Sequence, residues 1–182
     1  MNFSMKIEDY QIEKIHFMKM KKNIIMDNSL FIKIIYSDAF MVMNGIYIQC
    51  PFLVKQPSSS YFSSSSSTFH RVVPTRSFPD SLYDTTIKNR MMLFPLEDNA
   101  RLIHMLMEIE HNILSYYRKD HGSPIIPMYT LKAQLEKGFL KLGISHGTTA
   151  IAANAPKKTI CLKISGIWEN ESNIGINYKF FE

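Results

Sequence analysis

The clearest periodicity in this chain lies over residues 97–119, where Leu102, Leu106, Ile109, Ile113 and Tyr116 recur at helical spacing. Asp98 or Asn99 stands where an N-cap belongs, Gly122 can end the helix, and Pro124 forbids its continuation. The patterned segments on either side read as strands, apart from "IEKIHFMKMKKNIIM", which fits a strand or a short helix. One amphipathic helix has one apolar stripe, and a sheet is what that stripe can cover. The chain is therefore expected to be mainly β with a single helix.

Before the helix, "LFIKIIY" (30–36), "FMVMNGIYIQC" (40–50) and "TTIKNRMMLFP" (85–95) carry strand signals, with Asn44-Gly45 a tight turn or bulge. After it, "MYTLKAQLEKGFLKLGI" contains at least one strand. "KTICLKISGIW" (158–168) sets Ile160, Leu162 and Ile164 on one face and Cys161, Lys163 and Ser165 on the other. "IGINYKF" (174–180) groups Ile174, Ile176, Tyr178 and Phe180, and "ENESN" between them reads as a hairpin turn. Residues 55–81, rich in serine and broken by proline, read as a flexible loop without periodicity. With 182 residues and 46% apolar content the chain reads as one domain, 1–182. The order suits a small antiparallel barrel or sandwich with the helix before its last strands.

The net charge is +5. Residues 96–123 are net −2, so the remainder carries +7, gathered outside the helix. A phosphate-contacting face gives this distribution, and so do ordinary solvated lysines. Enzymatic signals are weak. There is no phosphate-binding loop, dinucleotide fingerprint or nucleophile elbow. Glu108 and His111, with His104 one turn earlier, make a single E-x-x-H that reads as a solvated helix face; carboxylate-bridged metal sites need it from two helices. Asp80 and Asp84 alone make a poor Mg²⁺ site. The expectation is no catalysis, no metal and no cofactor. Cys50 and Cys161 lack metal-type spacing and fit a reducing compartment. "MNFSMKIEDYQIEK" has no apolar signal-peptide core and no apolar run reaches membrane-spanning length, so the protein is expected to be intracellular, away from membranes.

The stretch "QLEKGFLKLGI" carries the sharpest site hypothesis. As a strand it turns Leu140 and Leu142 to a core and sets Lys137, Phe139 and Lys141 on the other face. Single-stranded nucleic acid needs cations that follow its phosphates and rings on which its bases stack, and this pattern supplies both. The plainer alternative packs Phe139 inward beneath the helix. In the serine-rich loop Tyr61, Phe62 and Phe69 sit near Arg71 and Arg76, and can close over a strand with cation–π support. Lys88 and Arg90 share one face of the next strand; Lys158 and Lys163 belong to the strand after the helix. Trp168 reads as core or corner packing.

The words "YTLKAQLEKGFLKLGI" and "KTICLKISGIWENESNIGINYKFFE" resemble the C-terminal portion of OB-fold single-stranded-DNA-binding proteins of large DNA viruses, which are similar to bacteriophage replication binding proteins. The resemblance covers residues 128–182, and its most specific piece is "LKISGIW" followed by a turn and "GINYKF". It implies a five-stranded OB-fold-like barrel with an inserted helix. It implies sequence-independent coating of single strands during replication or recombination, at sites of DNA replication in host cytoplasm, nucleus or a virus factory. Replication proteins and a second copy of the chain become candidate partners. Some relatives carry an acidic tail that recruits such partners; here Phe180-Phe181-Glu182 stands in its place. The competing reading is a viral structural or protein-interaction module with a basic face.

Overall fold

The computed structural model describes residues 4–54, 90–121, 125–143 and 156–182. Its early strands are β1 (Met5–Lys6), β2 (Ile15–Phe17), β3 (Lys21–Lys22), β4 (Leu30–Ser37), β5 (Val42–Met43), β6 (Ile46–Leu53) and β7 (Arg90–Leu93). Then follow α1 (Ala100–His121), β8 (Ile126–Pro127), α2 (Thr130–Leu135), β9 (Phe139–Gly143), β10 (Lys157–Glu169) and β11 (Asn173–Phe181).

β10 organises the sheet. β11 runs antiparallel along one of its edges. The other edge is shared: β6 pairs with residues 157–164 and β4 takes over at 166–169, where a bulge bends β10. β4 and β6 are thus successive lengths along one edge. Between them the chain leaves the sheet, as the end of β4 pairs with β2 and β5 instead. Gly45 brings it back at φ +101°, and a Cβ there would lie 2.6 Å from the Ile164 carbonyl oxygen. Only glycine suits both demands.

Beyond β11 lie β8 and β9, both parallel to it and placed at opposite ends. α2 occupies the interval in sequence between them. The principal path is β1-β6-β10-β11-β9-β7, and no ladder joins β7 to β1 among the described residues. The mainly β reading with one long helix is what the structure has. The closed five-stranded barrel is not: the sheet is open and has many strands. Closure needs end strands long enough to pair with each other, and β1 has two residues and β7 four.

The core lies on one face of this sheet. Ile160, Leu162, Ile164, Ile174, Ile176 and Phe180 point into it, as the alternation of β10 and β11 requires. α1 covers them with Ile103, Leu106, Ile109, Ile113, Leu114 and Tyr117. The stripe is rotated from the expected one. Tyr117, not Tyr116, is buried; Phe17 of β2 lies against both rings, edge-on to Tyr117 at 5.1 Å and tilted to Tyr116 at 5.9 Å, and the Tyr117 hydroxyl donates to the Glu169 carboxylate at 2.8 Å. Asn99 does not cap its own helix either; its amide is spent on β6 and Pro95. The helix stops Gly122 and Pro124, and the serine-rich loop, lie outside the described residues. No helix among the described residues is long and apolar enough to cross a membrane.

Residues 130–135, expected within a strand region, form α2 instead. A buried acid on α1 helps fix it. The Glu110 carboxylate accepts the backbone N–H groups of Leu131 and Lys132, each at 2.9 Å. These are first-turn donors without helical partners. Burial, the larger influence, pushes the Glu110 carboxyl above its ordinary value, against the hydrogen bonds that pull it down. A carboxyl raised in the folded state favours folding most when protonated. Its contribution therefore falls as pH climbs through that raised value. Glu110→Gln cannot titrate. In thermal melts from about pH 4 to 8 the stability advantage of wild type over this variant is expected to shrink with rising pH. An advantage that grows would contradict the assignment.

Candidate nucleic-acid interface

Opposite the core the sheet has a second face, and the ladder registers map it because paired residues share a side. One row runs Lys6, Gln49, Cys161, Phe181. The next runs Tyr47, Lys163, Lys179. Gly143 pairs with Phe181, so alternation along β9 places Phe139 and Lys141 on the same side. Met91 and Leu93 of β7 join them, opposite Lys141 and Phe139. All of these residues except Gly143 carry side chains, and none of those side chains is fully buried.

The rings and cations are interleaved. Lys163 Nζ lies 4.8 Å from the centre of the Tyr47 ring and Lys179 Nζ 5.6 Å from that of Phe181. The two rings meet edge-on, 6.4 Å apart. Among the described residues no carboxylate pairs with Lys6, Lys141, Lys163 or Lys179. Cys161 lies among them, and burial pushes its thiol up to about 11, so it stays neutral and uncharged at physiological pH.

Phe139 and Lys141 also line a cleft of about 280 Å³ together with Lys137, Gln134 and Tyr178. Lys137 is not in the strand. It sits in the turn closing α2, where Gly138 takes φ +69°, and reaches the cleft from there. Leu140 and Leu142 are buried as expected, whereas Phe139 is only half-buried and does not join the core. The Tyr178 hydroxyl donates to the Gln134 side-chain oxygen at 2.8 Å and lies 3.1 Å from the Thr130 carbonyl. Burial, with the nearby Glu110 charge, raises that phenol to about 12, so it remains a donor.

The other expected residues divide. Lys163 is where the alternation of its strand put it. Lys158 is on the core side of β10 by register, and its ammonium is ion-paired with the Glu182 carboxylate, so its charge is met within the chain. Arg90 begins β7, its backbone opposite Leu142. Tyr61, Phe62, Phe69, Arg71, Arg76 and Lys88 lie outside the described residues. Trp168 is not in the core: it is half-exposed on the outer side of β10. Lys6, Tyr47, Lys179 and Phe181 join the face without having been singled out as site residues by local pattern. Their alternation with Ile46, Ile48 and Phe180 was visible, but the interleaving arises only across three strands.

No family model, no curated protein and no solved structure matches this chain.

Proposed function

We propose that this protein binds single-stranded DNA without sequence preference, protecting it during replication or recombination at the sites where those occur. One observation carries the reading: Tyr47, Phe139 and Phe181 stand on a single open sheet face among Lys141, Lys163 and Lys179. Each ring offers a surface to any base, worth roughly 1–3 kcal/mol per stacked base, while the lysines follow the phosphates. Binding of this kind needs no cofactor and no catalytic group. β10, long, bulged and engaged in three ladders, is the strand that carries this face across the open sheet. Replication proteins and further copies of the chain are the partners such coating would bring together.

Filter binding of oligo-dT against duplex DNA at two salt concentrations tests the proposal. Preference for the single strand is expected, with affinity falling steeply as salt rises, by a log–log slope of about −0.7 per phosphate contacted. Equal affinity for both forms, or indifference to salt, would remove the basis for it. Phe139→Ala is expected to lower single-strand affinity by roughly 1–3 kcal/mol with an unchanged circular-dichroism melt. Unfolding of that variant would return Phe139 to the core.

A protein-interaction module is the second reading. Met91 and Leu93 favour it, being 63% and 68% exposed on the outermost strand of the same face. It predicts no preference for single strands.

A further inference from the structure

We propose that Trp168 forms a second base-stacking subsite, near the C-terminal end of β10, beyond the Lys163 that Tyr47 faces. The inference rests on the single-strand reading above and extends its track. Trp168 is paired with Gly175 on β11, and its indole lies across that residue: a Cβ on Gly175 would meet the ring at 2.6 Å. The missing side chain lets the indole lie flat over β11 rather than stand away from the sheet. On the other side Trp168 pairs with Phe31, whose ring lies over Gly166 in the same manner.

The indole opens onto a cleft of about 250 Å³ closed by Ile25, Met26, Ile176 and the amides of Asn23 and Asn177. Its far wall is built rather than loose. The Asn23 side-chain oxygen accepts the N–H groups of Ile25 and Met26, at 3.0 and 3.4 Å, holding the loop tip beside the indole. Ile25 is nonetheless 85% exposed. An apolar lip facing an aromatic wall, with amides at the rim, suits a flat heterocycle with polar edges. The Asn177 amide both donates and accepts, so it can meet the edge of any base, while Asn23 offers its nitrogen.

Charge selects a phosphate-bearing occupant. Lys33 is paired with Gly166, and Lys21 with Phe31, the residue opposite Trp168; both lysines are exposed on the indole's side of the sheet. Tyr178 lines this cleft and the one holding Phe139, so the two are neighbours and one strand can occupy both.

Trp168 is the only tryptophan in the chain, so its emission reports this subsite alone. The test is a titration with fluorescein-labelled oligo-dT read by anisotropy, and a parallel titration with unlabelled oligo-dT read by Trp emission. The expected result is quenching of Trp emission by about half or more, saturating with the binding curve, as stacking on a base produces. Trp168→Leu is expected to lower affinity about tenfold; the wild-type titration decides even if that variant does not fold. Binding with unchanged Trp emission overturns the subsite and leaves the proposed function standing. Absence of binding by anisotropy overturns both.

Discussion

Reversing two charges together, Lys163→Glu with Lys179→Glu, is expected to weaken oligo-dT binding about a hundredfold or more at low salt while the protein stays folded. The two residues are cross-strand partners on the outer face. Carboxylates there would face phosphates, and such like-charge juxtaposition costs several kcal/mol, which is about two decades or more in affinity. The salt slope should also flatten by about 1.4, because two phosphate contacts are lost. Little of this comes from the fold. The native contribution of each lysine is a cation–π contact at a partly exposed ring, about 0.5–1 kcal/mol. Melting and binding measured on the same preparation separate the two effects. A double variant that binds as wild type would place the DNA elsewhere.

The largest loss of stability from a single polar substitution is expected at Asn99→Ala, about 2–4 kcal/mol. Asn99 is 4% exposed, and its amide behaves like one residue of an added strand. Its oxygen accepts the Leu53 N–H at 2.8 Å, and its nitrogen donates to the carbonyls of Leu53 at 2.9 Å and Pro95 at 2.7 Å. This ties the end of β6 to the start of α1. Alanine leaves three backbone groups without that partner. Asn99→Asp keeps the acceptor, loses both donations and puts a charge beside two carbonyls, so it should be no better. In a chain of this size the melting temperature should fall by roughly 5–15 °C. A fall of a degree or two would show that water replaces the amide without loss.

How much of this was legible in the sequence follows from the range of the forces involved. α1 was visible because its stripe repeats within one segment, although the buried edge falls at Tyr117 rather than Tyr116. The faces of β10 and β11 were visible because alternation is also local. α2 was not. Its six residues are too few for a periodic signal, and the Glu110 carboxylate that meets its first-turn donors comes from twenty-one and twenty-two residues away. The open sheet was not legible either, since the exchange of β4 for β6 along β10 depends on Gly45 meeting Ile164 across the fold. For the site, Phe139, Lys141 and Lys163 could be found by alternation within their own strands. Tyr47 and Phe181 acquire meaning only when β6 and β11 flank β10. Of core and corner packing, the two readings open for Trp168, the core is excluded; the glycine that lets the indole lie outside is on another strand, beyond the reach of local pattern.

The central claim is that single-stranded DNA lies on the outer face of the sheet. Ultraviolet cross-linking of bromodeoxyuridine-substituted single strands, with the adducts mapped by mass spectrometry, tests it residue by residue. Adducts are expected on peptides containing Tyr47, Phe139 and Phe181. Adducts confined to the exposed side of α1, around His104 and Glu108, would contradict it.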